Sequence, residues 1–210
     1  MSDPMAIAIP SPSQCRDLFD QFAMFDNIRE HSILVARVAG ALVDGLARTG
    51  KCPGPPPNRD ETIAGALLHD IAKTLCIKTG CHHAEIGRQI CVDLGYPEIG
   101  AIVAEHVVLQ HFHADLYQRG LFGAKELVFY ADKRVRHDQV VPLASRLEYI
   151  LERYGDDNPQ KEQHIRLNFK RTLDFEKYLF SFLDLTPDEI TLHLREEIFL
   201  PTASTHQLSS

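Results

Sequence analysis

Apolar residues recur along this chain at spacings of three and four and only rarely alternate, a pattern that predicts amphipathic helices and few strands. After a proline-rich arm at residues 1–12, Ser13 can cap a first helix to about residue 25, with Leu18, Phe19 and Phe22 on one face. Asn27-Ile28-Arg29-Glu30 has the form of a capping box and predicts a second helix to about residue 47, turning Ile28, Leu34, Val35, Val38 and Leu42 inward. A loop carrying Pro53, Pro55, Pro56 and Pro57 comes next, which no helix could hold. Asp60 then opens a helix whose apolar side is Ile63, Ala66, Leu67 and Ile71. Further helices are predicted over about 82–94, 98–110, 124–137, 142–154, 159–183 and 186–200, the last opened by the capping box Thr186-Pro187-Asp188-Glu189. Gly95-Tyr96-Pro97 reads as a turn, and residues 112–123 as an irregular connection. The expected fold is all-α. A helical bundle occupies residues 13–155, a C-terminal helical extension at 156–200 packs on it, and 201–210 is a mobile tail.

Six polar residues interrupt these apolar faces. His31 lies on the stripe of the second helix, Asp70 on the apolar side of the third with His69 at its margin, and His83 three residues before Ile86. His106 falls in the middle of the Ile99–Val107 stripe, and Asp132 between Val128 and Val135. Neighbouring residues on a helix stand about 100° apart around its axis, so His69 and Asp70 can lean toward one ion beside it. Burying such groups without partners costs several kcal/mol each, and polar residues placed at random prefer the outer face. A shared cation would satisfy all six. A mixed nitrogen and oxygen donor set suits Fe, Mn, Zn or Ni better than Ca or Mg.

Composition narrows the setting. Of 210 residues, 44 % are hydrophobic and 24 % charged, which is ordinary for a globular protein with a real core. The net charge of −7 and the lack of a basic stripe argue against a nucleic-acid polymer as partner. They leave room for a small phosphate ester met by metal. The five cysteines are odd in number and form no C-x-x-C pair, so the expectation is free thiols in a reducing cytoplasm rather than a disulfide framework. No apolar run is long enough for a membrane span, and no signal peptide is visible at the start.

His31, then His69-Asp70, then Asp132 within Tyr130-Ala131-Asp132-Lys133 resembles the H…HD…D signature of the HD-domain superfamily of metal-dependent phosphohydrolases. Leu67-Leu68-His69-Asp70-Ile71-Ala72-Lys73 carries the most specific part of that likeness. The resemblance spans roughly residues 27–150 and implies an HD-type helical bundle with a metal held by His31, His69, Asp70 and Asp132. His83-Ala84-Glu85-Ile86-Gly87 is similar to the H-x-x-x-G element of binuclear members, and His106 to their later histidine. His82 competes with His83, but only His83 has the spacing to Gly87. The likeness therefore implies two divalent transition-metal ions, with Asp70 bridging to a second ion held by His83 and His106. Gly95-Tyr96-Pro97 precedes His106 and is not the tripeptide of the cyclic-dinucleotide phosphodiesterases of this superfamily.

The resulting expectation is a phosphohydrolase that attacks a small phosphorylated molecule, a nucleotide by preference, with metal-activated water. Asp70 and Lys73 are the candidate catalytic residues. Lys73, Lys133, Arg134 and His111 are candidate phosphate or substrate contacts, with Arg37 weaker. Glu30 could orient a ligand histidine. Two readings compete: a di-iron oxygenase, because some superfamily members use the same six ligands to activate oxygen, and a non-catalytic module in which metal staples helices. A homodimer contact through the C-terminal helices is left open.

Overall fold

The structure, a computed structural model, describes residues 8–195. The tail at 201–210, residues 1–7 of the arm and the end of the expected last helix lie outside the described residues. Ten α-helices and one short hairpin are present among the described residues. They are α1 (Pro12–Gln21), α2 (Asp26–Thr49), α3 (Arg59–Leu68), α4 (Lys73–Thr79), α5 (His83–Asp93), α6 (Pro97–Glu105), α7 (Ala114–Gln118) and α8 (Ala124–Arg134), then strands β1 (Val135–Arg136) and β2 (Gln139–Val140), then α9 (Leu143–Tyr154) and α10 (Pro159–Ser181). A 3₁₀ segment, Pro187–His193, comes after them.

Helix α2 is the axle. Val35, Ala36, Val38, Ala39 and Leu42 are fully buried and sit on more than one side of it, as expected of a helix enclosed by others. Each such buried Val or Leu contributes roughly 1.5–3 kcal/mol. Helices α3 and α8 pack along it, and α3 also packs on α6 and α8. One contiguous apolar core joins α1, α2, α3 and α5 through α8 with Phe169, Phe175 and Leu179 of α10 and Ile190 of the 3₁₀ segment. Arg134 ties this last part down. Its guanidinium donates to the Tyr130 hydroxyl at 2.7 Å, Glu176 at 3.1 Å, the Val141 carbonyl at 2.8 Å and the Pro187 carbonyl at 3.0 Å.

Several boundaries differ from expectation for identifiable reasons. Ser11, not Ser13, caps α1, in a reciprocal box with Gln14. The box expected at Asn27 does not form; α2 starts at Asp26 behind Phe25, whose backbone N–H donates to Thr74 Oγ1 at 3.0 Å. The run at 124–137 ends three residues early because β1 and β2 turn back through His137, a non-glycine residue at φ 56°. The last helix is a 3₁₀ turn, although its box of Thr186 and Glu189 forms.

The cysteines require a correction. Cys15, Cys52 and Cys91 are free, but Cys76 and Cys81 are joined by a disulfide. Gly80 ends α4 in the left-handed region at φ 76°, folding the chain back so that the two Cα atoms lie 4.6 Å apart. A search for C-x-x-C spacing does not find a pair that meets across a helix end, and the bond removes the thiol count as support for a reducing compartment. Among the described residues no helix is long and apolar enough to cross a membrane.

Burial pushes the Cys15 and Cys91 thiols up to about 12. In a thiol assay at pH 8, Cys52 alone should react in the native protein, Cys15, Cys52 and Cys91 after unfolding, and all five after reduction as well. Five reactive thiols without reductant would exclude the Cys76–Cys81 bond.

Candidate metal centre

Two of the predicted ligands stand where a helix stops. Helix α3 ends at Leu68, and His69 and Asp70 lie in the tight turn before α4, not inside a continuous helix as the apolar pattern suggested. The His69 ring helps the backbone bonds Ile71 N–H to Leu68 and Lys73 N–H to Asp70 close the turn: Nδ1 donates to the Ala66 carbonyl at 2.7 Å, an acceptor near the end of the helix. Helix α6 repeats the device. It ends at Glu105, and His106 Nδ1 donates to the Val103 carbonyl at 2.7 Å. His31, on α2, has Nδ1 3.3 Å from the carbonyl of His137 at the hairpin turn. A carbonyl can only accept, so Nδ1 carries a proton in His69 and His106, and Nε2 is the nitrogen turned to the interior, where it could ligate a cation.

Those Nε2 atoms converge with two carboxylates. His31 Nε2 is 3.1 Å from Asp132 Oδ1 and 3.9 Å from Asp70 Oδ2. His69 Nε2 is 3.3 Å from Asp70 Oδ2 and 3.8 Å from Asp132 Oδ1. On the other side, Asp70 Oδ1 is 3.3 Å from His83 Nε2 and 3.5 Å from His106 Nε2, and those two nitrogens are 3.2 Å apart. Ligands about 2.1 Å from one ion stand roughly 3.0–3.4 Å from each other, so both groups have the spacing of a coordination sphere. The donor atoms of His31, His69 and Asp70, and those of Asp70, His83 and His106, each lie within 4.8 Å of one another. Two atoms at the junction, His69 Nε2 and Asp70 Oδ1, are buried without a hydrogen-bond partner. Orphaned acceptors in an interior are costly, and a cation is the group that would complete them.

The charge state of the donors suits that role. Burial alone would raise the Asp70 carboxyl, but the Lys73 ammonium 2.6 Å away holds it well below the usual carboxylate range. Asp132 is likewise held down, against its burial, by Lys133 and His31. Both remain carboxylates at neutral pH. Burial pulls His31 and His106 down and His83 to about 4, which favours neutral imidazoles able to ligate, whereas at His69 the Asp70 and Asp132 carboxylates outweigh burial and push the ring up.

Lys73 Nζ is 2.6 Å from Asp70 Oδ2, and Lys133 Nζ is 2.6 Å from Asp132 Oδ2 and 2.9 Å from the His106 carbonyl. Both line a cavity of about 460 Å³ with Asp70, His83, His106 and Asp132 on its floor. Two other expected contacts are elsewhere. Arg134 is adjacent to Lys133 and therefore turned about 100° away; its guanidinium is taken up by Tyr130, Glu176, Val141 and Pro187, and it does not line the cavity. His111 is exposed, beside His113, and is not on the cavity wall. Arg37 bonds the Arg195 carbonyl, and Glu30 is exposed.

Arg146 is a site residue that the sequence reading passes over. It lies on the cavity wall, 8 % exposed, with Nη2 3.8 Å from Asp132 Oδ1. A signal for it exists, since Arg146 sits three residues after Leu143 and four before Ile150 on the apolar side of α9. Helix α10, read from sequence as structural, supplies the far wall of the cavity through Ile165, Asn168 and Phe169.

Gly87 explains how α5 brings His83 to His106. A Cβ there would stand 2.8 Å from Val103 Cγ1 on α6, closer than such contacts allow. Gly65 does the same for α3 and α6, where a Cβ would lie 2.8 Å from Ile102.

A family model described as HD domain matches residues 28–150. No curated protein and no solved structure was found to match the chain.

Gly87→Ala should destabilise the fold by about 1–3 kcal/mol, the usual cost of overpacking, and lower metal content by displacing His83. Elemental analysis beside a thermal melt reads both. Asp70→Ala should bind no transition metal, whereas His83→Ala should retain roughly half the wild-type content if each group holds one ion. Equal metal content in Asp70→Ala and wild type would refute the shared carboxylate.

Proposed function

The chain belongs to the HD-domain family, and on that premise we propose that it is a metal-dependent phosphohydrolase acting on a small phosphorylated molecule. The observation that carries this reading is the coincidence of two donor groups sharing Asp70 with two lysine ammonium groups facing the same cavity. Donors on the first side would be His31, His69, Asp70 and Asp132, and on the second Asp70, His83 and His106. Divalent transition metals fit these mixed nitrogen and oxygen sets. When bound, they supply Lewis acidity and an acidified water at neutral pH.

The chain's own part is positional and electrostatic. Asp70 and Asp132 stay ionised because cationic neighbours outweigh their burial. Asp70 offers one oxygen to each side, which fixes the spacing of the two groups. Lys73 reaches the cavity from the first turn of α4, and Lys133 from the last turn of α8. Each ammonium has three donors and uses only one or two on the protein, leaving capacity for phosphoryl oxygens. Two cationic side chains at the site favour an anionic substrate, which supports hydrolysis of a phosphate ester over oxygen chemistry on a neutral one.

With Mn²⁺, the purified protein should release phosphate from p-nitrophenyl phosphate in air, lose that activity on chelation and regain it on adding metal back. Asp70→Asn should lower turnover by more than about a thousandfold, roughly 4 kcal/mol of barrier. Lys73→Ala should lower kcat/KM by about ten- to a hundredfold. An iron-loaded protein that consumes oxygen and releases no phosphate from any ester would replace this reading with the oxygenase one.

A further inference from the structure

Arg146 is a buried cation that the protein itself leaves under-used. Its Nε is buried with no hydrogen-bond partner among the described residues. Its nearest carboxylate oxygen, Asp132 Oδ1, is 3.8 Å away, beyond hydrogen-bond reach, and already has His31 at 3.1 Å. The guanidinium is instead packed near the Tyr149 ring, 5.4 Å from its centroid. A buried guanidinium with free donors is expensive, and a planar fork of this kind matches two oxygens of a phosphoryl group. It lies on the cavity wall, on the same side of the bundle as Lys133 and Asp132.

Outward from Arg146 the wall changes character. Ile150 and Tyr154 of α9 face the cavity with Ile165 and Phe169 of α10 and with Val107 and Val108. The valines are 39 % and 40 % exposed and Tyr154 is 45 % exposed, so this apolar shelf is open to a ligand. Among the described residues, Lys161 is the one Lys or Arg on this outer part, and its ammonium is paired with Asp156. Asn168 has its amide committed to the Val107 carbonyl at 3.0 Å. Positive charge is thus concentrated at the floor, in Lys73, Lys133 and Arg146, while the polar groups of the outer half are His164, the uncharged amide of Asn168 and Lys161, which is paired with Asp156. The cavity, about 460 Å³, falls within the roughly 300–1,000 Å³ of small-molecule sites.

We propose that α9 and α10 form the substrate-selecting wall: Arg146 grips one phosphoryl group at the floor, and Ile150, Tyr154, Ile165 and Phe169 take a ring-bearing organic group. The substrate class is a phosphate monoester of a ring-bearing alcohol, such as a nucleoside 5′-monophosphate, rather than a polyphosphate. This rests on the phosphohydrolase reading for the chemical step. In that step water's oxygen bonds to phosphorus, the ester P–O bond breaks, and the alcohol leaves with a proton from that water while inorganic phosphate remains. Arg146 would neutralise charge on the phosphoryl oxygens that do not leave.

The test is calorimetric binding to the Mn²⁺-loaded full chain, run beside phosphate release, with inorganic phosphate, AMP and ATP as probes, the two nucleotides entering the binding arm as non-hydrolysable phosphonate analogues. Arg146→Ala should weaken inorganic phosphate and AMP alike by about tenfold or more, and Arg146→Lys should recover part of the loss. Tyr154→Ser with Ile165→Ser should weaken AMP severalfold and leave inorganic phosphate unchanged. Circular dichroism reports whether Arg146→Ala still folds. If it does not, the partly exposed Tyr154 and Ile165 and the AMP-to-ATP ratio still decide. Tighter binding of ATP than AMP, equal phosphate affinity in folded Arg146→Ala and wild type, or equal loss of phosphate and AMP in the double variant would each overturn the proposal. The expected binding pattern without phosphate release would uphold the wall and sink the hydrolase reading. Phosphate release indifferent to Arg146 would do the reverse.

Discussion

The structure depends on one carboxylate placed where charge is least welcome. Asp70 is 1 % exposed, at the centre of a bundle of apolar helices, and an ionised carboxylate in such a place is costly unless every side of it is met. Lys73 of α4 meets one of its oxygens directly, while the nitrogens of His69 from its own turn, His83 from α5 and His106 from the end of α6 surround it at 3.3–3.5 Å, the spacing a shared cation would fill. Its two oxygens point to different neighbours, so the residue works as a divider with a donor group on each side. The remaining ligands, His31 and Asp132, are placed by α2 and α8, the two helices whose packing forms the middle of the core.

This requirement reaches far into the packing. Histidines 83 and 106 meet because α5 and α6 nearly touch, and two glycines permit it, Gly87 against Val103 and Gly100 against the Arg88 carbonyl. Asp132 is held at the end of α8 by the C-terminal third of the chain. Arg134 fastens the helix terminus to the hairpin, to α10 and to the 3₁₀ segment, so these elements set the position of a metal-ligand candidate they do not contain. Helix α10 also covers the cavity. A single region therefore steadies the floor of the site and shapes its wall.

Much of this was legible in the sequence because burial of polar groups leaves a pattern. Each of the six ligand-type residues sits where a helix should be apolar, and the structure brings all six together. The helical class followed from periodicity alone. Three things escaped for physical reasons. Arg146 obeys the same rule as the histidines, but arginine on an apolar stripe is easily read as a snorkelling surface residue. Lys133 and Arg134 look equivalent in sequence, yet adjacent helical residues diverge, and only the lysine faces the cavity. The Cys76–Cys81 bond depends on a left-handed glycine at a helix end, a backbone feature that residue spacing does not display.

The turns at His69 and His106 carry a further consequence. In each, one imidazole nitrogen closes the helix behind it while the other looks into the site. Chain termination and ion capture are then two uses of one ring, and neither can be altered alone. A substitution that deletes the imidazole also frees the carbonyl three residues back, inviting the helix to wind on and carry Asp70 or Lys133's carbonyl partner out of register. Lost affinity at these positions would thus reflect a changed local fold as much as a missing donor, which separates them from His83, a ligand candidate on the first turn of a helix that would begin with or without it.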